Sequence, residues 1–118
     1  MTLREVVEEL SAEVLHGAEE ELNGTVATVA AGDLMSDVLT RATIADLLVT
    51  GLSNMQTIRT ATVAGIKSIV IVRGKPVSPQ MIDLAREEDL VLMVTGMKLF
   101  EAAGRLWARG LRTGETRA

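Results

Sequence analysis

The residues best suited to chemistry fall in short glycine-bearing segments: Ala31-Gly32-Asp33, Gly51-Leu52-Ser53-Asn54, Arg73-Gly74-Lys75 and Gly96-Met97-Lys98. Arg73, Lys75 and Lys98 bring positive charge to an acidic chain, and Thr50, Ser53, Asn54 and Thr95 bring neutral hydrogen bonds. Where such segments open helices, the unpaired N–H groups of the first turn add donors, and the set suits a carboxylate or a phosphate. Asp33, Ser36 and Asp37 form a further cluster. Asp33 and Asp37 are four apart and share a helix face, so they read as a cap with macrodipole-favoured acids, or as a weak metal or hydroxyl-binding pair. The expected ligand-binding set is Asp33, Ser36, Thr50, Gly51, Ser53, Asn54, Arg73, Lys75, Thr95 and Lys98, with no catalytic residue and no metal ligand assigned. Glycine and capping residues are also what any strand-to-helix turn requires, so plain turn chemistry stands beside the binding role.

Other chemistries are removed by composition. The chain has 118 residues, no cysteine and one histidine, His16. Disulfides, thiol nucleophiles, Cys-ligated zinc and iron–sulfur clusters are excluded within it, as is a multi-His metal site in a monomer. Basic and acidic residues number 12 and 16, a net charge of −4, which argues against a duplex-binding surface. Phe100 and Trp107 are the only aromatics, too few for a base-stacking platform. No Gly-x-Gly-x-x-Gly occurs, and Gly74-Lys75-Pro76 lacks the spacing and the following hydroxyl of a P-loop. Apolar runs such as Ile69 to Val72 fall far short of a membrane span, and acids at Glu5, Glu8 and Glu9 oppose a signal peptide. The expected location is the cytoplasm.

The elements that must position these residues are legible from pattern. Thr2 with Glu5 fits a capping box, and Leu3, Val6, Val7 and Leu10 make one helical stripe. Ala12 to Leu15 and Thr25 to Ala30 read as strands, joined by a solvated acidic turn from Gly17 to Gly24. Asp33 is the expected N-cap of a helix from Leu34 to about Ala42, with Leu34, Val38 and Leu39 inward. A strand from Asp46 to Thr50 precedes a helix from Met55 to Ala64, with Ile58, Ala61, Thr62 and Val63 inward and Gly65 ending it. Arg59 on that helix is placed to reach the cleft or to stay exposed. Ser68 to Val72 reads as a strand buried on both faces. Ser78-Pro79 starts a helix, with serine as cap and proline in the first turn. Leu90 to Thr95 is another strand, and a last helix from Lys98 to Arg109 turns Leu99, Phe100, Ala103, Leu106 and Trp107 inward.

The second half alternates strand and helix through short connections, which right-handed crossovers convert into parallel strands with covered faces. The expected fold is a three-layer α/β/α domain over residues 1–111, with a mostly parallel sheet of four or five strands and a loose polar tail at 112–118. Ligands in such sheets bind beyond the carboxyl ends of the strands, so the glycine-bearing turns should share one rim.

Several blocks carry a family likeness: Ala30-Ala31-Gly32-Asp33-Leu34-Met35-Ser36-Asp37-Val38-Leu39, Leu48-Val49-Thr50-Gly51-Leu52-Ser53-Asn54, Arg59-Thr60-Ala61, Val72-Arg73-Gly74-Lys75-Pro76, and Phe100-Glu101 with Gly104-Arg105-Leu106. In this order they resemble a short stand-alone DRTGG-domain protein, over roughly Leu3 to Leu111. Where many members carry Gly-Asp-Arg, this chain has Gly51-Leu52-Ser53, and where they carry Thr-Gly-Gly it has Arg73-Gly74-Lys75. The resemblance implies a fold similar to the N-terminal domain of HPr kinase/phosphorylase and to the UDP-binding N-terminal domain of muramoyl-peptide ligases. It implies an accessory, regulatory or dimerising role, as in fusions with phosphotransacetylase and with the CBS modules of inorganic pyrophosphatases. Short members of this kind occur in anaerobic bacteria beside hydrogenase and signalling components, which implies a protein partner from such a system.

The functional expectation is a non-catalytic regulatory or ligand-sensing homodimer with a small-anion or nucleotide-type cleft, no cofactor, no nucleic-acid partner and no membrane partner. A structural assembly subunit for a redox or signalling complex is the alternative. A small enzyme acting on a phosphorylated metabolite, with Asp33 or Asp37 as acid–base group and Lys75 or Lys98 as electrostatic clamp, is the third reading.

Overall fold

The computed structural model describes residues 1–40 and 45–114. Its elements are α1 (Leu3–Leu10), β1 (Glu13–His16), α2 (Glu19–Leu22), β2 (Thr28–Ala31), α3 (Met35–Thr40), β3 (Leu47–Thr50), α4 (Met55–Ala64), β4 (Ser68–Ile71), α5 (Pro79–Glu87), β5 (Val91–Val94), α6 (Leu99–Ala108) and β6 (Arg112–Thr113). They form one six-stranded sheet in the order β1-β5-β4-β3-β2-β6. β2, β3, β4, β5 and β6 run parallel, and β1 pairs antiparallel with β5. The sheet is thus mostly parallel, with more strands than expected.

Burial on both faces follows from the strand sequences. Along β3 and β4, Leu47, Val49, Val70 and Val72 meet Leu3, Val6 and Leu10 of α1 and Ala102 and Leu106 of α6. The alternate residues Leu48, Ile69 and Ile71 meet Met35, Val38, Ile58, Ala61, Met81 and Ala85 of α3, α4 and α5. Every residue of β3 and β4 is buried, the pattern of parallel strands covered on both sides.

Local chemistry sets the helix ends. Thr2 Oγ1 accepts from Glu5 N–H at 3.2 Å while Thr2 N–H donates to Glu5 Oε1 at 2.9 Å, the reciprocal capping box. Asn54 Oδ1 caps α4 by accepting from Thr57 N–H at 3.0 Å, and Gly65 ends α4 in the left-handed region at φ 77°. Ser78 caps α5, with Pro79 in its first turn.

Several expectations are corrected. The acidic stretch is not all turn: Glu19 to Leu22 make one helical turn, because Leu22 reaches the core and Ala18 N–H donates to Glu21 Oε1 at 3.0 Å. Residues 112 and 113, read as tail, pair with Thr28 and Val29 of β2. On α4, Thr62 and Val63 face solvent, and Thr57 and Thr60 take the inward positions. On α6, Ala102 and Leu106 fill the core, whereas Phe100 is 91% exposed and Trp107 57% exposed. Residues 100 and 107 are seven apart and share a helical face that lies away from the one set by 102 and 106. Leu34 is also exposed. The helix itself begins at Met35, and the Asp33 carboxylate reaches the neighbouring loops. The expected last turn at Arg41 and Ala42, and the side chains of Asp37 and Leu39, lie outside the described residues.

Candidate functional site

The parallel run of β2 to β5 brings Gly32, Gly51, Gly74 and Gly96 to one rim, at the carboxyl ends of the strands. The connections after β2, β3 and β4 lead to helices on one face, and the connection after β5 leads to α6 on the other. The topological switch point therefore lies between β4 and β5. There the two loops are bonded to each other: Arg73 N–H donates to Met97 O at 2.7 Å and Gly74 N–H to Thr95 O at 2.9 Å.

The centre of the rim is built around Asp33. Its Oδ1 accepts from Gly51 N–H at 2.7 Å and from the Thr50 hydroxyl at 3.1 Å. Its Oδ2 accepts from Arg73 Nη2 at 3.1 Å. One carboxylate thus clasps the loops that follow β2, β3 and β4. The absence of a Cβ at Gly51 leaves the space that the Arg73 guanidinium occupies, so a side chain there would displace that guanidinium. Arg73 itself holds a left-handed backbone at φ 65°, an uncommon conformation for a residue with a side chain.

Other expected site residues have different surroundings. The Ser53 hydroxyl donates to the Pro76 carbonyl and joins the loop after β3 to the approach to α5. Asn54 is occupied as the α4 cap. Thr95 is buried and donates to Leu10 O at 2.6 Å, tying the rim to the end of α1. Lys75 and Lys98 are exposed, Lys98 at the N-cap position of α6, and Ser36 is exposed on α3. Arg59 is exposed on α4. Asp33, Thr50, Gly51 and Arg73 are therefore brought into mutual contact, while Ser53, Asn54 and Thr95 serve local ties.

Open space lies beside this clasp. A cleft of about 420 Å³ runs from Gly32, Asp33 and Leu34 along β2 to Leu106 and Trp107 of α6 and to Arg112. It exists because β6 covers only Thr28 and Val29, leaving the upper part of β2 without a sixth-strand neighbour. The Arg112 guanidinium sits 3.9 Å from the centre of the Trp107 ring, a cation–π contact on the wall of the cleft. Sequence reasoning missed this wall. Its signal was the seven-residue spacing of Phe100 and Trp107, which no core-facing arc containing Ala102 and Leu106 can also hold. A second cleft, of about 450 Å³, lies at the opposite ends of the strands, near Asp46, Lys67 and Asp89.

An ion cluster fixes the far side of α6. Glu9 of α1 accepts from Arg109 at 2.8 Å and from Arg105 at 3.3 Å, Arg109 reaches Glu5 at 3.4 Å, and Arg105 reaches Glu101 at 3.4 Å. Hydrogen bonds from Arg109, then Arg105, hold the Glu9 carboxyl below the usual carboxylate range. The Thr2 backbone and side chain do the same for Glu5. With Thr95 bonded to Leu10, this cluster docks α1 and α6 onto the rim from one side.

Residues 5–108 match the model of the DRTGG domain. Among solved structures, the chain is similar to the CBS and DRTGG domains of the regulatory region of Clostridium perfringens pyrophosphatase, in a crystal structure complexed with activator, diadenosine tetraphosphate. The TM-score is 0.72 at 20% identity, over 93% of this chain and 47% of that one, so the likeness concerns the fold and the chain spans about half the length of that region. No curated protein matches. No helix among the described residues is long and apolar enough to cross a membrane.

Proposed function

The chain belongs to the DRTGG domain family, and we propose that it is a non-catalytic regulatory domain that senses a small anionic or nucleotide-type ligand at the rim. The observation that carries this reading is the Asp33 clasp: three strand-to-helix loops meet at one solvent-accessible charge pair beside a cleft of about 420 Å³. A cleft of that size falls in the range of small-molecule sites. The rim hydroxyls of Thr50, Ser53 and Thr95 are each committed as donors to a carboxylate or a carbonyl, which suits recognition better than nucleophilic attack. The regulatory setting of the same fold in the clostridial pyrophosphatase region, complexed there with a nucleotide activator, supports a sensing role. The test is a thermal-shift panel of nucleotides, acyl phosphates and UDP-sugars. A ligand at a hundred times its Kd raises stability by about 2.7 kcal/mol, a clear shift. Silence across the panel at millimolar concentration overturns the sensing role.

The domain is also proposed to pair with a second copy through α6. Its outer stripe reads Phe100, Ala103-Gly104, Trp107: large, small, small, large, symmetric about its midpoint. An antiparallel two-fold pairing seats each aromatic beside the partner's small residues. Gly104 sits in open space within the chain, so no internal contact requires a glycine there. In mid-helix a glycine costs roughly 0.5–1 kcal/mol relative to alanine, a cost that close approach of another helix explains. Sedimentation of the wild type, Phe100→Ser and Gly104→Leu tests the seam. A dimer that both substitutions weaken supports it; a monomeric wild type, or a dimer indifferent to both, rejects it.

A further inference from the structure

The Asp33 clasp has the composition of an anion receptor. A backbone N–H, a hydroxyl and a guanidinium converge on one carboxylate, at 2.7, 3.1 and 3.1 Å. Proteins present such a set to carboxylate and phosphoryl groups, with the guanidinium giving the charge-assisted bond. The backbone that carries these donors is anchored independently of their occupant. Thr50 is fully buried at the end of β3, and its carbonyl accepts from Val72 N–H at 2.9 Å. The Arg73 backbone is fixed by its bond to Met97 O and by the adjacent bond from Gly74, and the missing Cβ of Gly51 leaves room for its guanidinium. The left-handed φ of 65° at Arg73 is local strain of the kind that collects at ligand clamps.

The occupant stands on different ground. Asp33 lies in the bend between β2 and the six-residue α3, and its side chain is 39% exposed. Leu34 beside it is 66% exposed. Gly32, Asp33 and Leu34 also wall the cleft that Trp107 and Arg112 close on its far side. A group that displaces the Asp33 carboxylate must therefore move a wall of this cleft.

Resting on the ligand-sensing reading, we infer that Gly51 N–H, the Thr50 hydroxyl and Arg73 form an anion receptor that Asp33 fills in the free protein. The ligand is a small molecule with a carboxylate or phosphate and an apolar or planar body. Its anionic group exchanges with Asp33 while its body lies in the cleft. Release of Asp33 shifts residues 32–34, so occupancy of the receptor is transmitted to the α6 side of the molecule. Because the free protein holds the receptor mostly closed, its apparent affinity is the intrinsic one reduced by the open fraction.

Inorganic phosphate, followed by amide NMR on the full chain, tests this without knowledge of the natural ligand, with acetate as the carboxylate counterpart. In the wild type, the Gly51 and Leu34 amides are expected to shift along one saturable phosphate isotherm. Asp33→Ala empties the receptor and Asp33→Asn removes the competing charge, so each should tighten phosphate binding by about tenfold or more. Arg73→Ala, alone or combined with Asp33→Asn, should abolish the Gly51 response. Asp33→Asn keeps an acceptor for the Gly51 amide and reads the effect even where Asp33→Ala unfolds. A Gly51 amide that stays silent in the wild type, a response centred on Lys75 and Lys98, or unchanged affinity in Asp33→Asn would show that Asp33 is only a structural tie. A silent ligand panel with a responsive Gly51 rejects the sensing role and keeps the receptor; the reverse pattern keeps sensing and rejects this receptor.

Discussion

Asp33→Ala should cost far more than Arg73→Ala, although the two residues form one ion pair. The pair itself is worth little: its partners are 39% and 41% exposed, and exposed bridges contribute about 0.2–1 kcal/mol. Arg73→Ala therefore loses about 0.2–1 kcal/mol. Asp33→Ala loses the same pairing and also strips the acceptor from the Gly51 amide, on a buried residue, and from the Thr50 hydroxyl. A buried donor without a partner costs about 1–3 kcal/mol, and the hydroxyl, free to rotate, adds less. The expected loss for Asp33→Ala is about 2–4 kcal/mol. Asp33→Asn keeps the Oδ1 acceptor and should lose about 1 kcal/mol or less. At about 4 °C per kcal/mol for a domain of this size, the melting temperature falls by roughly 8–16 °C for alanine and about 4 °C for asparagine. Urea unfolding at neutral pH gives the free energies, and exchange of the Gly51 amide gives the local effect. Equal losses for Asp33→Ala and Arg73→Ala, or unchanged Gly51 exchange in Asp33→Ala, would refute the assignment of the clasp to its backbone bond.

Further outcomes follow from other parts of the molecule. Ile69→Ala, at a fully buried position in β4, should lose about 2–5 kcal/mol in urea unfolding; a loss below 1 kcal/mol contradicts the packing described. Asn54→Ala removes the α4 cap and should lose about 1 kcal/mol while leaving the phosphate response of Gly51 intact; loss of that response would place Asn54 in the receptor. Glu9 is held below its ordinary value of 4.5, so the unfolded chain binds more protons there than the native state does. Its contribution is present above that ordinary value and disappears as pH falls through the depressed one. Stability of Glu9→Gln should accordingly fall less steeply with acid than that of the wild type; parallel acid limbs would remove Glu9 from the account.

Most of the framework was legible because its signals are local. Ser78-Pro79, Asn54 and Gly65 mark helix ends by their own bonding and backbone preferences, and β4 announces burial on both faces by its unbroken apolar run. What escaped depends on partners distant in sequence. Asp33 reads as a helix cap from its neighbours alone; that its carboxylate also accepts from Gly51 and Arg73 is decided by three loops meeting on one rim. β6 has two polar residues and no pattern, and becomes a strand only because α6 delivers it to the open edge of β2. Phe100 and Trp107 were misplaced because size and apolarity were taken to mean burial, when the small Ala102 is what fits against the sheet. The four contacting rim residues were all named from sequence, but the cleft beside them needs the edge geometry.

The two sides of the sheet differ in how far apart along the chain their parts lie. The side built by α3, α4 and α5 draws on residues 35 to 92, each helix packing near the strands it connects. The other side needs both extremities at once: Leu3, Val6 and Leu10 share it with Ala102 and Leu106, and Thr95 must find Leu10. The Thr95–Leu10 bond alone joins residues 85 apart in the chain. Closing that side therefore costs more loop entropy than closing the other, and contacts of such sequence separation slow folding.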